Sequence, residues 1–143
     1  MRILVVDDEF IALNKMSAML SPLGKCDAAT SGEQAFQMYE QAMIGGDPYK
    51  LITIDIQMPG MSGLELLEKI NSEEEKWEYP KAKKMMVSAQ SDIQNVTTAK
   101  HANCDAFIVK PVKKKVLSEK LASMNMPLEQ PQGNGTAYPI NAE

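Results

Sequence analysis

The sequence predicts an α/β fold, a five-stranded parallel sheet with helices packed on both faces. Three observations lead there. Short apolar runs alternate with segments of helical period five times along the chain. The runs ending at Val6 and at Ile54 lack polar alternation, as strands covered on both sides do. The runs also end in chemically capable side chains, Asp7, Asp8, Asp55, Ser88 and Lys110. Right-handed crossovers bring all such strand ends to one edge of the sheet.

The first strand is Met1 to Val6, followed by Asp7-Asp8-Glu9. Phe10 to Leu20 reads as a helix, with Ala12, Met16, Met19, Leu20 and Leu23 at core spacing. Ser21-Pro22 and Gly24 stop it. Lys25 to Thr30 is a weaker second strand. Ser31-Gly-Glu-Gln34 has the form of a capping box opening a helix to about Met43, whose inner stripe is Ala35, Met38, Tyr39 and Ala42. Gly45-Gly46-Asp47-Pro48 is a loop. The third strand, Leu51 to Asp55, runs into a turn built on Pro59 and Gly60. Ser62-Gly-Leu-Glu65 is a second capping box, and its helix turns Leu64, Leu67 and Ile70 inward.

Residues 71–83, rich in Glu73, Glu74, Glu75 and Glu78, read as a frayed helix end and a solvated loop, with the Trp77 ring folded onto the surface. Lys84 to Val87 is the fourth strand and about Asp92 to Ala102 the fourth helix. Ala106 to Val109 is the fifth strand and about Lys113 to Met124 the fifth helix, with Val116, Leu117, Leu121 and Met124 facing in. The sequence thus divides into a domain over 1–125 and a flexible C-terminal tail over 126–143, where prolines and glycines replace periodicity.

The 143 residues suit one hydrophobic core, and 44% hydrophobic with 24% charged residues is a globular balance. A net charge of −4 argues against nucleic-acid binding by bulk charge. Cys26 and Cys104 form no metal or redox motif and read as reduced, buried thiols, which fits a cytoplasmic location. No apolar run is long enough to span a bilayer, and the start of the chain carries no signal-peptide pattern. The eleven methionines scatter through the elements as core filler.

The chemistry lies at the strand ends. Carboxylates crowded to about 4 Å repel by roughly 4 kcal/mol per pair at an effective dielectric of 20. A divalent cation relieves this, and an all-oxygen ligand set favours Mg²⁺, or Mn²⁺, over zinc. Such a site admits an anionic phosphoryl group. Asp55 is placed to attack phosphorus and form an acyl phosphate. Lys110 would hold one phosphoryl oxygen as a point charge, and Ser88 would donate to another. Taken singly, Asp7 and Asp8 would cap the first helix, and Ser88 and Lys110 would be surface groups. Their shared edge favours the site.

These residues carry a resemblance. Val-Val-Asp7-Asp8-Glu9, Asp55-x-x-Met58-Pro59-Gly60-Met61-x-Gly63, Ser88-Ala89 and Lys110-Pro111, in this order and spacing, resemble the receiver domains of two-component response regulators over about Met1 to Met124. The resemblance implies a flavodoxin-like sheet of strand order 2-1-3-4-5. It implies Asp55 as phosphoacceptor and Asp7, Asp8, Asp55 and the backbone carbonyl of Gln57 as ligands of Mg²⁺. Ser88 and Phe107 would be the switch pair, and Lys110 the phosphate-binding lysine. Phe107 lacks a tyrosine's hydroxyl, so it would act as an apolar plug.

The implied function is a phosphorylation-dependent switch. A sensor histidine kinase or phosphotransfer protein is the donor. A downstream protein docks on the fourth helix, fifth strand and fifth helix, beside the basic Lys113, Lys114, Lys115 and Lys120. No DNA-binding helix-turn-helix fits in the tail. His101, the lone histidine, reads as a surface residue. A Mg²⁺-dependent phosphohydrolase using Asp55 is the rival, weakened because Gln57 stands where a second acid would be needed. Slow self-dephosphorylation, with Gln57 and Gln90 near the water's path, is all the catalysis expected. A scaffold that is never phosphorylated is the third reading, and the intact set of acids, hydroxyl and lysine speaks against it.

Overall fold

The computed structural model describes residues 1–89 and 103–128. Its elements are β1 (Arg2–Val6), α1 (Phe10–Leu20), β2 (Lys25–Ala29), α2 (Gly32–Ile44), β3 (Leu51–Asp55), α3 (Gly63–Glu74), β4 (Lys83–Ser88), β5 (Ala106–Val109) and α4 (Lys114–Ser123). The predicted helix at about 92–102, with His101, and Gln90 lie outside the described residues, so α4 is the fifth predicted helix. The strands form one parallel sheet in the order β2-β1-β3-β4-β5.

Alternation along each strand divides the core in two. Ile3 and Val5 pack toward α1 and α4, against Leu13, Met16, Leu117 and Leu121. Leu4 and Val6 pack toward α2 and α3, against Tyr39, Leu66, Leu67 and Ile70. Both faces of β1 and β3 are therefore buried, which is why their sequences carry no polar alternation. Each large side chain so buried contributes about 1.5–3 kcal/mol.

Several details differ from the sequence expectations. Leu13, rather than Ala12, is buried on α1, and Leu66 is fully buried on α3 while Leu64 is half-buried. Val116 is exposed, because the inner stripe of α4 rests on Leu117 and Leu121 and continues to Met124 at its end. The Ser62–Glu65 capping box is complete. At α2 only half of the box forms. The Ser31 hydroxyl accepts from Gln34 N, but the Gln34 side chain accepts from Thr30 N at 2.8 Å. Leu128 is buried in the α1–α4 core, so the packed body extends past 125 to Leu128.

The stretch 71–83 is not simply solvated. Glu74 and Lys84 are both 4% exposed and form an ion pair, and Glu74 also accepts from Ala82 N at 2.8 Å. Trp77 is half-buried and stacks on Tyr79 with ring centroids 5.8 Å apart.

Tyr39, 1% exposed, is the buried group without a hydrogen-bond partner among the described residues. Burial pushes its ionisation far above the ordinary tyrosine range, and Glu74 and Glu73 push the same way. Its ring packs well, stacked 6.0 Å from Phe36, so its contribution is apolar. Tyr39→Phe is expected to hold stability constant or raise it by up to about 1 kcal/mol in urea unfolding. A loss above 1 kcal/mol would show that the hydroxyl has a partner in solution.

Candidate functional site

Strand parity decides which groups meet. Asp7 continues the Ile3, Val5 row and Asp55 the Leu51, Thr53 row. Lys110 continues the Ala106, Ile108 row, so all three side chains leave the sheet on the α1–α4 side. Register places the strand ends together: Val6 pairs with Ile54, and Asp55 with Val87.

The carboxylates of Asp7, Asp8 and Asp55 lie with oxygens within 4.8 Å of one another. Asp7 and Asp55 are buried, and Asp8 opens to solvent. Lys110 Nζ sits 3.0 Å from Asp7 Oδ2, 3.4 Å from Asp55 Oδ2 and 3.5 Å from Glu9 Oε1. Asp7 Oδ1 also accepts from Glu9 N at 2.9 Å, and Asp55 Oδ1 from Gln57 N at 3.3 Å. The Lys110–Pro111 peptide is cis, and Lys110 N donates to Ser88 O at 2.7 Å, tying the β5 end to the β4 end.

The electrostatics follow from burial. Desolvation pushes the Asp55 carboxyl up to about 7, Asp7 adds to the shift, and Lys110 opposes it. Burial works to lower the Lys110 ammonium, but Asp7, Asp55 and Glu9 outweigh it, and its value is raised. One lysine cannot balance three neighbouring carboxylates. The donors are all hard oxygens, and one of them faces water. This set fits a Mg²⁺-class dication.

The start of α3 is pressed against the strand end. A Cβ at Gly63 would lie 2.1 Å from Asp55 O, and Gly63 N donates to Ile56 O at 2.9 Å. Only a residue without a side chain lets the helix begin this close, so Gly63 fixes the distance between α3 and Asp55.

Ser88 ends the strand next to Asp55, whose registered partner is Val87, and Phe107 lies one strand further out. By parity they leave on the α2–α3 face, on adjacent strands whose registered pairs are Met86–Phe107 and Ser88–Val109. The Ser88 side chain is fully buried and its hydroxyl donates to Ala89 O at 3.0 Å. Phe107 is half-buried against the core of that face. Gln57 is exposed on the loop after β3.

Sequence reasoning passed over Glu9, which helps hold Lys110, and Phe10 and Ile11, which are 70% and 82% exposed on the first turn of α1. An apolar pair directly after an acidic triplet was the available signal. These residues border a groove of about 720 Å³ lined also by Met16, Pro111 and Val112. No helix among the described residues is long and apolar enough to cross a membrane.

The sequence profile of the response regulator receiver domain matches residues 3–122. The chemotaxis protein CheY1 of Helicobacter pylori is 35% identical over 121 residues, covering 85% of this chain and 94% of that protein. The hybrid signal transduction histidine kinase L of Dictyostelium discoideum is 34% identical over 119 residues, covering 82% of this chain and 7% of that protein. The chain thus spans a small part of some relatives, and 51% of a further regulatory one. The CheY of Borrelia burgdorferi, crystallised as a CheX–CheY–BeF₃–Mg²⁺ complex, superposes with a TM-score of 0.73 at 25% identity, covering 87% of this chain and 88% of that one. The parallel sheet, its strand order and these matches agree, and the chain belongs to the response regulator receiver domains, the phosphorylation-dependent signalling switches of two-component systems.

Proposed function

We propose that Asp55 is the residue that accepts the phosphoryl group. The observation that carries this is the cluster of Asp7, Asp8 and Asp55 with Lys110 Nζ 3.4 Å from the Asp55 carboxylate. Mg²⁺, or Mn²⁺, would be held by Asp7, Asp8, Asp55 and the backbone carbonyl of Gln57. When bound, it supplies positive charge that lets an anionic phosphoryl group approach. An Asp55 carboxylate oxygen attacks phosphorus and forms a C–O–P bond. The P–N bond of the donor phosphohistidine breaks, and the imidazole leaves with its electron pair and takes up a proton. Lys110, already against Asp55 Oδ2, holds a phosphoryl oxygen as a fixed cation.

Phosphorylation adds about −1.5 to −2 charge at the end of β3. Ser88 stands at the carboxyl edge of β4, one residue past the registered partner of Asp55, so its hydroxyl turns over that edge from Ala89 O to the phosphoryl oxygen, and Phe107, on the face it leaves, moves into the space released. The surface of β5 and α4 then changes its affinity for a protein partner, a population shift biased by local charge. Val109 and Val116 are exposed there beside Lys113, Lys114 and Lys115, which suits an acidic partner with apolar contacts. The donor, a sensor histidine kinase or phosphotransfer protein of the cytoplasm, approaches over Phe10, Ile11 and the adjoining groove. Neither nucleic acid nor membrane is a partner. Gln57 is no base at neutral pH, so self-dephosphorylation is slow.

The test is to reduce the phosphorylated protein with borohydride, which converts an aspartyl phosphate to homoserine, and to map the peptide. Homoserine at position 55 is expected. Homoserine at 7 or 8 would overturn the assignment.

A further inference from the structure

We propose that Glu33, on α2, is a positioning residue for the cation site. The inference rests on the cation reading given above, in which Gln57 contributes its backbone carbonyl.

Gln57 lies on the loop between β3 and α3, and this loop is tied down at both ends. At its start Gln57 N donates to Asp55 Oδ1 at 3.3 Å. At its end Ser62 N donates to Glu65 Oε1 at 2.9 Å, which is local to α3. The third tie crosses the fold. Met61 N donates to Glu33 Oε2 at 3.2 Å, a bond between residues 28 apart in sequence. The same carboxylate lies against Gly60, where a Cβ would stand 3.1 Å from Oε2.

The first turn of α2 is also in direct contact with the loop. A Cβ at Gly32 would lie 2.9 Å from Met61 Cβ, so Met61 occupies the space a side chain would need. Between the ties two residues hold the Gln57 side of the loop. Met58 is buried in the α2–α3 core, and Pro59 has a fixed φ. The loop's freely turning residue is Gly60, at φ +73°, and Glu33 lies against it and bonds the next amide, so Glu33 restrains the loop where it can turn most easily.

The bland account of Glu33 is an acid at a helix N-terminus, favoured by the dipole alone. That account gives Glu33 an effect on stability and none on the cation. The positioning account gives it an effect on cation affinity through an accepted hydrogen bond. Direct partners of metal ligands are worth about 10–100-fold in affinity. Glu33 acts one step further out, and about 3–10-fold is expected.

The experiment is a Mg²⁺ titration of the unphosphorylated protein, followed by amide chemical shifts, with urea midpoints measured separately. The proteins are wild type, Glu33→Ala and Glu33→Gln. Glu33→Ala is expected to bind Mg²⁺ about 3–10-fold more weakly and to exchange the Met61 amide faster. Glu33→Gln keeps an acceptor and is expected within about twofold of wild type. Unchanged affinity in Glu33→Ala, whatever its stability, would overturn the inference. Equal weakening in both variants would overturn it too, because charge rather than the hydrogen bond would then be responsible. A wild type that does not bind Mg²⁺ would overturn the cation reading itself and this inference with it.

Discussion

Replacing Lys84 by methionine is expected to destabilise the domain by about 3–5 kcal/mol. The side chain is 5% exposed and its ammonium pairs with Glu74, itself 3% exposed at the end of α3. Methionine fills similar volume but leaves the Glu74 carboxylate buried without its cation. Desolvation of that charge dominates the loss, since the removed apolar contact is small. A domain of ordinary stability has about 5–15 kcal/mol in total, so the variant is expected near its unfolding threshold. The double variant Glu74→Gln with Lys84→Met tests the cause. Glutamine keeps an acceptor for Ala82 N and removes the stranded charge, so most of the loss is expected to return. Urea unfolding of the three proteins is the measurement. A loss below about 1 kcal/mol in Lys84→Met would show that the pair is solvated.

The second large effect is on pH. Without a divalent cation, Asp55 has a folded-state value of about 7, against about 3.9 for an unfolded aspartate. The folded state therefore holds a proton that the unfolded state has released between these limits. Stability is highest at and below about pH 4 as far as this group is concerned, and falls as pH rises toward 7. Above that the folded domain carries the buried charge at its full cost, on the order of a few kcal/mol. Asp55→Asn removes the titration. In EDTA the variant is expected to exceed wild type in stability at pH 8, with the difference shrinking toward pH 5. Saturating Mg²⁺ is expected to narrow or reverse this by stabilising the wild type more than the variant, which keeps Asp7 and Asp8 but lacks the Asp55 charge. Urea midpoints from pH 5 to 8 give the answer, and equal pH slopes would contradict it.

Much of the site was legible because it is written in strand ends. Apolar runs stopping at Asp7, Asp55 and Lys110 identify both the strands and their chemistry, and parity then brings those side chains to one face. The separation of Ser88 and Phe107 onto the other face was equally available from counting by two. What escaped was longer in range. Glu74 and Lys84 lie in or beside an acidic, polar stretch, and only the docking of α3 on β4 buries them together. Glu33 has the local signature of a helix start, and its bond to Met61 depends on where α2 lies against the β3–α3 loop. Val116 fits the helical stripe by spacing, yet α4 meets the sheet along a narrower line than the stripe implies. Leu128 follows Pro127, a helix stop that reads as the end of structure, and still packs inward.

The most direct test of the account is the intact mass of the protein after incubation with acetyl phosphate, in Mg²⁺ and in EDTA, for wild type and Asp55→Asn. The account predicts one added phosphoryl group on the wild type in Mg²⁺, lost on treatment with hydroxylamine, and none in EDTA or on the variant. A phosphoryl group on Asp55→Asn, or none on the wild type even with a phosphohistidine donor supplied, would contradict it.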